Sequence, residues 1–185
     1  MKILFISLGC DKNLADSEEM LGLLTGSGHE IVDSEEDADA IVINTCCFIH
    51  DAKEESVNTI LEMAEYKKTG KCKALIVTGC MAQRYKEEIT QEIPEVDAVL
   101  GTTSYGDIVK ALNEAQAGHV FQEFRDINEL PEDSGRRVLT TGGHFGYLKI
   151  AEGCDKHCTY CIIPSLRGSF RSVPEERLLA QAEYM

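Results

Sequence analysis

The fold is decided by the stretch Lys2-Ile-Leu-Phe-Ile-Ser-Leu-Gly-Cys10, in which an apolar run ends in glycine and cysteine. Continuous apolar runs of this length are typical of strands that are buried on both faces of a parallel sheet. The same pattern returns at Asp39–Asn44, which precedes Cys46, and at Lys73–Thr78, which precedes Cys80. We therefore predict three parallel strands that are each followed closely by a cysteine.

Helical patterns lie between these strands, and the alternation predicts an α/β domain with helices on both faces of a parallel sheet. Asp16 and Glu19 have the spacing of a capping box, which predicts that the first helix begins there. The segment Asp51–Lys68 has apolar residues at helical spacing. The other predicted elements are helices at 82–93 and 105–117 and strands at 30–32 and 96–100.

The regular alternation ends near residue 120, where we place a domain boundary. Residues 121–145 form the predicted linker, and within them the stretch Glu129–Gly135 is rich in turn-forming residues. A new strand is predicted at Tyr147–Ala151, and Pro174 is expected to open a helix. Because one strand, one loop and one helix cannot bury a core, we divide the chain into an amino-terminal domain (1–120), a linker and the truncated start of a second domain (146–185).

The composition limits the classes of function. A formal net charge of −14 argues against a protein that binds phosphate backbones by general electrostatics, and 43% hydrophobic residues are enough for a packed core. No stretch approaches the ~18 apolar residues that span a bilayer, and we find no secretory signal. We therefore expect a cytoplasmic protein without membrane attachment, in which eight cysteines indicate metal or redox chemistry more than disulfides.

Three cysteines share one position relative to the predicted strands. Cys10, Cys46 and Cys80 each lie two residues beyond a strand, so we expect them to meet at the edge of the sheet where ligands bind. Gly9 and Gly79 allow a sharp turn or a close approach of the backbone. Each cysteine alone is equally well explained as a small buried hydrophobe, but three equivalent placements favour a shared ligand.

Two further cysteines lack this placement. Cys72 precedes its strand and falls at the opposite edge of the sheet, so we interpret it as structural. Cys47 adjoins a candidate ligand and is either a spare thiol or a buried neighbour.

A second group of cysteines has the spacing C-x3-C-x2-C at Cys154, Cys158 and Cys161. Thiolates this close in sequence can converge on one metal centre. A zinc site that also uses His157 is one alternative, although structural zinc sites usually take paired ligands from two separated segments. A 4Fe–4S cluster normally takes four cysteines, so three would leave one iron open for a ligand.

The second cysteine group and the upstream half of the chain both resemble known enzymes. Cys154, Cys158, Tyr160 and Cys161 form the pattern C-x3-C-x-aromatic-C, which resembles the signature of radical S-adenosylmethionine (SAM) enzymes. The upstream half resembles the amino-terminal domain of the methylthiotransferase family, in the branch that acts on a ribosomal protein. The matching stretches are Leu8-Gly-Cys-Asp-Lys-Asn-Leu-Ala-Asp-Ser-Glu18, Asn44-Thr-Cys-Cys-Phe-Ile49, Asp51-Ala-Lys-Glu-Glu-Ser56 and Ile93-Pro-Glu-Val-Asp-Ala-Val-Leu-Gly-Thr102. The chain departs from the usual pattern of that branch at Asp11 and Cys47, where proline and glycine are typical.

The resemblance implies two 4Fe–4S clusters. One is expected on Cys10, Cys46 and Cys80, where it would carry the sulfur that is transferred. The other is expected on Cys154, Cys158 and Cys161, where its open iron would bind SAM beside Tyr160 and cleave it to a radical; ordinary packing is the alternative role for Tyr160.

The implied product is a methylthio group on the β-carbon of an aspartate in small-subunit ribosomal protein twelve, with electrons from a donor such as flavodoxin. Enzymes of this kind continue into most of a partial barrel and a small β-domain. The resemblance therefore implies that this chain is a fragment that is inactive alone.

Two other functions stay open. The branch that modifies adenosine in tRNA typically has Gln-Met-Asn after the first cysteine, where this chain has Asp11-Lys12-Asn13, so a tRNA substrate is the less favoured reading. A zinc-binding or flavodoxin-like interaction domain without catalysis is the alternative from another class.

Several polar residues near the two cysteine groups also have open roles. Asn13, Asp16, Asn44 and Thr45 either form hydrogen bonds around the first group or act as caps and turns. A guanidinium in the stretch Ile163–Gly168 either neutralises the charge of a cluster or of SAM, or lies in a solvated loop.

Overall fold

A six-stranded parallel sheet forms the centre of the computed structural model, which describes residues 1–132 and 135–185. The sheet contains β1 (Lys2–Ser7), β2 (Glu30–Val32), β3 (Ala40–Thr45), β4 (Ala74–Gly79), β5 (Ala98–Leu100) and β6 (Phe121–Glu123). The strand order is β2-β1-β3-β4-β5-β6, and every neighbouring pair is parallel. The predicted α/β class is confirmed.

Helices cover both faces of this sheet, as predicted. They are α1 (Asp11–Gly26), α2 (His50–Thr69), α3 (Cys80–Arg84), α4 (Lys86–Glu92) and α5 (Ile108–Gln116), and a 3-10 turn at Tyr105–Asp107 precedes α5. Alternate residues of β3 divide between two cores. Val42 packs with Met20 of α1 and Ile108 of α5 on one face, whereas Ile43 packs with Ile60 of α2 on the other.

The start of α1 differs from the prediction. The helix begins at Asp11, directly after Cys10, so the capping box predicted from Asp16 and Glu19 is wrong. Both side chains lie inside the helix and are buried, because they bond to other parts of the fold. Asp16 pairs with Arg167, and Glu19 accepts a hydrogen bond from Tyr105.

Two other boundaries also differ. The single helix predicted at 82–93 is broken at Tyr85 into α3 and α4. The sequence patterns did not predict β6, which pairs with β5 and lies in the segment assigned to the linker. Part of the turn-rich stretch predicted at 129–135 falls on Asp133 and Ser134, outside the described residues. The division into domains stays a prediction.

The last forty residues form a small unit beside α1. Strand β7 (Ala151–Glu152) pairs antiparallel with β8 (Arg171–Ser172), and the helices are α6 (Ile163–Arg167) and α7 (Glu175–Tyr184). The strand predicted at Tyr147–Ala151 is wrong before Ala151, since β7 covers only Ala151–Glu152. The preceding residues contact their neighbours through the pair of Lys149 with Asp16 and a backbone hydrogen bond from Val173 to Ile150. Pro174 precedes α7 as predicted. Among the described residues, no helix combines the length and the apolar character needed to cross a bilayer.

Candidate functional site

A cavity of about 500 Å³ lies at the carboxyl edge of the sheet, and Cys10, Cys46 and Cys80 all line it. The three residues follow β1, β3 and β4, which are neighbours in the sheet. The structure thus brings together the first cysteine group as expected from the parallel topology. Their role as ligands stays a prediction.

The three thiols differ in their access to solvent. Cys46 and Cys80 are buried, whereas Cys10 is exposed at the start of α1. Within residues 1–132 and 135–185, no three His, Cys, Asp or Glu side chains are arranged to hold a metal ion. The cysteines therefore share one cavity without being closed around a common point.

The backbone around this cavity depends on two glycines. Gly9 and Gly79 have φ angles of 94° and 92°, in the left-handed region that disfavours other residues. A Cβ atom at Gly9 would lie 2.7 Å from Cβ and 2.9 Å from Sγ of Cys46, and one at Gly79 would lie 2.5 Å from the carbonyl oxygen of Thr45. Glycine at these positions therefore lets the backbone pass directly against Cys46 and Thr45. The cavity itself, which is lined by three thiols, fits a cluster that binds through sulfur.

Asn13 connects the loops that carry the cysteines. Its Nδ2 donates to the carbonyl oxygens of Leu8 at 3.0 Å and Thr45 at 2.9 Å, so it joins the ends of β1 and β3. The thiol of Cys80 donates to its Oδ1 at 3.6 Å, and Asn44 Nδ2 donates to its backbone oxygen at 2.9 Å. Asn13 and Asn44 therefore form hydrogen bonds around the first cysteine group instead of capping a helix or forming a turn.

The far wall of the cavity comes from the segment that carries the second cysteine group. Gly153, Ile163, Leu166 and Arg167 line the same cavity as Cys10, Cys46 and Cys80, together with Lys12 from α1. Lys12 and Arg167 are the two cationic residues of this lining, and the other side chains are thiols or apolar groups. The cavity therefore combines sulfur donors with positive charge.

Arg167 is buried at 5% exposure, so the solvated-loop interpretation is wrong for this residue. Its Nη1 lies 2.7 Å from Asp16 Oδ2 and 3.4 Å from Glu152 Oε1, and its Nη2 donates to Asn13 Oδ1 at 2.5 Å. Lys149 contacts the same two carboxylates, with its Nζ 2.9 Å from Glu152 Oε1. A buried ion cluster therefore joins α1 to the second segment.

The electrostatics of this ion cluster follow from its burial and its charges. Burial alone would raise the pKa of Glu152, but Lys149 and Arg167 hold that pKa at about 2. Burial would likewise lower the pKa of Lys149, but Asp16, Tyr105 and Glu152 raise it. Both groups are charged at neutral pH, and their mutual contacts compensate for the loss of water.

Cys47 and Cys72, which do not line the cavity, are buried. Burial raises the pKa of Cys47 to about 11, with a further rise from Cys80. Cys72 lies at the amino edge of the sheet, where burial raises its pKa and its Sγ donates to the Ala74 carbonyl oxygen at 3.4 Å. These surroundings agree with a structural role for Cys72 and with a buried neighbour at Cys47.

The second cysteine group lies on a loop between β7 and α6. The backbone N–H of Cys154 donates to the carbonyl oxygen of Gly168 at 3.0 Å, and the backbone N–H of Cys161 donates to the carbonyl oxygen of Cys158 at 3.0 Å. Cys158 is exposed, and Cys154 and Cys161 are half-buried. The Tyr160 side chain is 91% exposed, which contradicts ordinary packing within this chain. Ligation by this group and a SAM contact at Tyr160 stay predictions.

Comparison with known proteins gives one family and a consistent set of relatives. Residues 2–101 match the model of the family described as Uncharacterized protein family UPF0004. The chain is 64% identical over all of its 185 residues to a protein of Lachnoclostridium phytofermentans named ribosomal protein uS12 methylthiotransferase RimO, of which the match covers 42%. Proteins of the same name from Clostridioides difficile and Trichlorobacter lovleyi are 49% and 48% identical over 99% and 98% of the chain, with 41% of each covered. The chain therefore spans about two fifths of the length of the curated relatives it matches.

Proposed function

This chain belongs to the family described as Uncharacterized protein family UPF0004, and from that membership we propose that the whole protein is a methylthiotransferase that acts on ribosomal protein uS12. The relatives that carry this name match the chain over nearly its full length. The observation that carries the proposal is the shared cavity of Cys10, Cys46 and Cys80, which offers three sulfur donors at one edge of a parallel sheet.

In this proposal each cysteine group holds one 4Fe–4S cluster. Cys10, Cys46 and Cys80 hold the first on the amino-terminal domain (1–120), and Cys154, Cys158 and Cys161 hold the second at the start of the domain that follows residue 145. Bound there, the clusters and SAM supply the sulfur and radical chemistry that adds a methylthio group at the β-carbon of an aspartate. Tyr160 would lie beside the bound SAM. This chain alone is inactive in the proposal.

The chain's own residues supply binding and orientation. Gly9 and Gly79 let the backbone turn closely against Cys46 and Thr45, and Asn13 fixes the loops after β1 and β3 relative to each other. The segment with Leu166 and Arg167 forms one wall of the cavity. The proposed setting is cytoplasmic, without a membrane, and the proposed electron donor is a small redox protein such as flavodoxin.

Anaerobic reconstitution with iron and sulfide tests the cofactors. We expect about eight irons per chain and a broad visible absorption band, because two 4Fe–4S clusters are bound. Bound zinc with no colour would instead support the non-catalytic interaction domain.

Triple substitution separates the two sites. Changing Cys154, Cys158 and Cys161 together to alanine should leave about four irons, and so should changing Cys10, Cys46 and Cys80, because each group holds its own cluster. Loss of all iron in either variant would contradict two independent clusters.

The substrate is tested with the full-length protein. We expect methylthio transfer to uS12, detected as a mass increase on one aspartate-containing peptide, and no transfer to tRNA. Activity on tRNA alone would overturn the assignment in favour of a tRNA adenosine methylthiotransferase.

A further inference from the structure

We propose that Arg167, although it follows the second cysteine group in sequence, is a positioning residue for the first: it supplies the hydrogen-bond donor and the positive charge that hold a cluster on Cys10, Cys46 and Cys80 and ease its reduction. The inference deepens the proposed function and rests on it, because it takes these three cysteines as cluster ligands.

The first support is the path from the guanidinium to a thiol. Arg167 Nη2 donates to Asn13 Oδ1 at 2.5 Å, and the same oxygen lies 3.6 Å from Sγ of Cys80. Arg167 also lines the cavity that contains Cys80. A single amide oxygen therefore lies between the guanidinium and the sulfur.

The second support is the change in hydrogen bonding when Cys80 becomes a ligand. A metal-bound cysteine is a thiolate, which accepts hydrogen bonds and no longer donates to Asn13. Asn13 cannot turn its amide to help, since its Nδ2 already donates to Leu8 and Thr45. Arg167 carries five N–H donors in a planar fork, so it can serve both Asn13 and an adjacent thiolate.

The third support is the local balance of charge. The two carboxylates near Arg167, Asp16 and Glu152, also face Lys149, and Lys12 lies 4.0 Å from Glu152. Glu19 also faces Lys149, so this ion cluster contains three cations and three carboxylates. Among the described residues, the cavity lining itself contains the cations Lys12 and Arg167 and no carboxylate. Positive charge and hydrogen bonds to sulfur are the features that stabilise the reduced, more negative state of an iron–sulfur cluster.

The test measures the reduction equilibrium of the first cluster alone. In the whole protein, Cys154, Cys158 and Cys161 are changed to alanine, and the remaining cluster is titrated by visible absorption and electron paramagnetic resonance. We expect Arg167→Gln to lower the equilibrium constant for reduction about tenfold, which is ~59 mV for one electron. Arg167→Lys keeps the charge but loses the planar guanidinium with its several donors, so we expect the equilibrium constant for reduction to fall about threefold.

Arg171→Gln is the matched control. It removes the same charge from the same segment, but Arg171 does not line the cavity, and its guanidinium donates to the backbone oxygens of Arg167, Ser169 and Glu129. We expect this variant to reduce like the parent protein, so a shift equal to that of Arg167→Gln would overturn the inference.

The outcomes separate the inference from the proposed function. A parent protein that binds no cluster refutes the proposed function itself. If the parent protein binds the cluster and both Arg167→Gln and Arg167→Lys reduce like the parent, the role of Arg167 is overturned and the proposed function stands. A purely structural role would lower the melting temperature of both variants without changing reduction. If Arg167→Gln does not fold, Arg167→Lys decides, because an unchanged equilibrium in that variant overturns the inference.

Discussion

At the scale of single residues, the candidate site depends on a missing side chain at Gly9. The backbone there has a positive φ angle and passes so close to Cys46 that a Cβ atom would meet its Cβ and Sγ. Gly28 has a similar φ angle of 83° but has no atom within 4 Å of an added Cβ. Comparing alanine variants at the two positions therefore separates the loss of stability caused by backbone strain from the loss caused by crowding.

We expect Gly9→Ala to lose more stability than Gly28→Ala. Backbone strain costs both variants about 1–2 kcal/mol, and crowding against Cys46 adds about 1–3 kcal/mol for Gly9→Ala only. Urea unfolding of the two variants measures the difference, and the iron content after reconstitution should fall only for Gly9→Ala. Equal losses of stability would show that crowding against Cys46 does not lower the free energy of unfolding of Gly9→Ala.

The shared cavity of Cys10, Cys46 and Cys80 could be predicted from the sequence, because each follows a strand of one parallel sheet and apolar runs mark those strands. Their role as ligands stays a prediction. The position of Arg167 could not be predicted from such local sequence patterns. Its partner Asn13 lies 154 residues away in sequence, and no local pattern encodes a contact over that separation.

At the scale of elements, α1 has an unusual distribution of polar residues. Asn13, Asp16, Ser17, Glu18 and Glu19 are all buried. Ser17 exchanges a hydrogen bond with Ser7 of β1 at 2.7 Å, and Glu18 is fully buried against the segment at 137–140. Helix α1 therefore binds the sheet and the carboxyl-terminal half of the chain through polar contacts as well as apolar packing.

Glu18→Gln tests this second set of contacts. Glu18 Oε2 lies 2.6 Å from Arg137 Nη2, and its Oε1 accepts from the backbone N–H of Thr140 at 2.7 Å. Removing its charge takes from the buried Arg137 its ion-pair partner, so we expect a loss of about 3–5 kcal/mol in the free energy of unfolding.

The control for this variant is Glu54→Gln. Glu54 lies 3.9 Å from His50 in an exposed i,i+4 pair on α2, so its replacement should change stability by about 0–1 kcal/mol. Thermal or urea unfolding compares the two variants. A loss in Glu18→Gln no larger than that in Glu54→Gln would contradict the role assigned to the buried pair.

The misplaced boundaries have the same physical origin as these contacts. Asp16 and Glu19 have the residue types of a capping box, but their side chains bond to Arg167 and Tyr105 instead of to the backbone. Strand β6 lies at the edge of the sheet, and two of its three residues, Gln122 and Glu123, are polar, so it lacks the apolar run that marks β1, β3 and β4. Local patterns predict elements that are stabilised locally, and they fail where distant partners decide the structure.

At the scale of the whole molecule, Asp16 links the sheet domain to the segment with the second cysteine group. Its two oxygens contact Lys149 and Arg167, and all three side chains are nearly inaccessible to solvent. Lys12 of α1 also reaches this segment, through the Ala151 carbonyl oxygen at 2.5 Å and Glu152 at 4.0 Å, and Asn13 accepts from Arg167. Asp16 contributes to the attachment by pairing with two buried cations of the segment at once.

We expect Asp16→Asn to loosen the segment at 147–173 while the sheet stays folded. Both buried cations lose one of their two counter-ions and keep Glu152, so we expect a cost of about 1.5–3 kcal/mol and local hydrogen exchange in this segment about 10- to 100-fold faster. Exchange measured by mass spectrometry should leave β3 and β4 unchanged. The control is Asp37→Asn, since Asp37 forms an exposed pair with Lys71 at 3.4 Å. Equal acceleration in the sheet and in the segment would contradict separate attachment.

The two sides of the cavity come from distant parts of the sequence, and this has a consequence for biosynthesis. Cys10 leaves the ribosome roughly 10–30 s before Arg167 at usual rates of synthesis, and amino-terminal units generally fold first. The three thiols at the end of the sheet are therefore made before the residues that cover them. During that interval the half-built cavity is open to solvent, so under the proposed function the delivery of a cluster and the folding of the later segment compete in time.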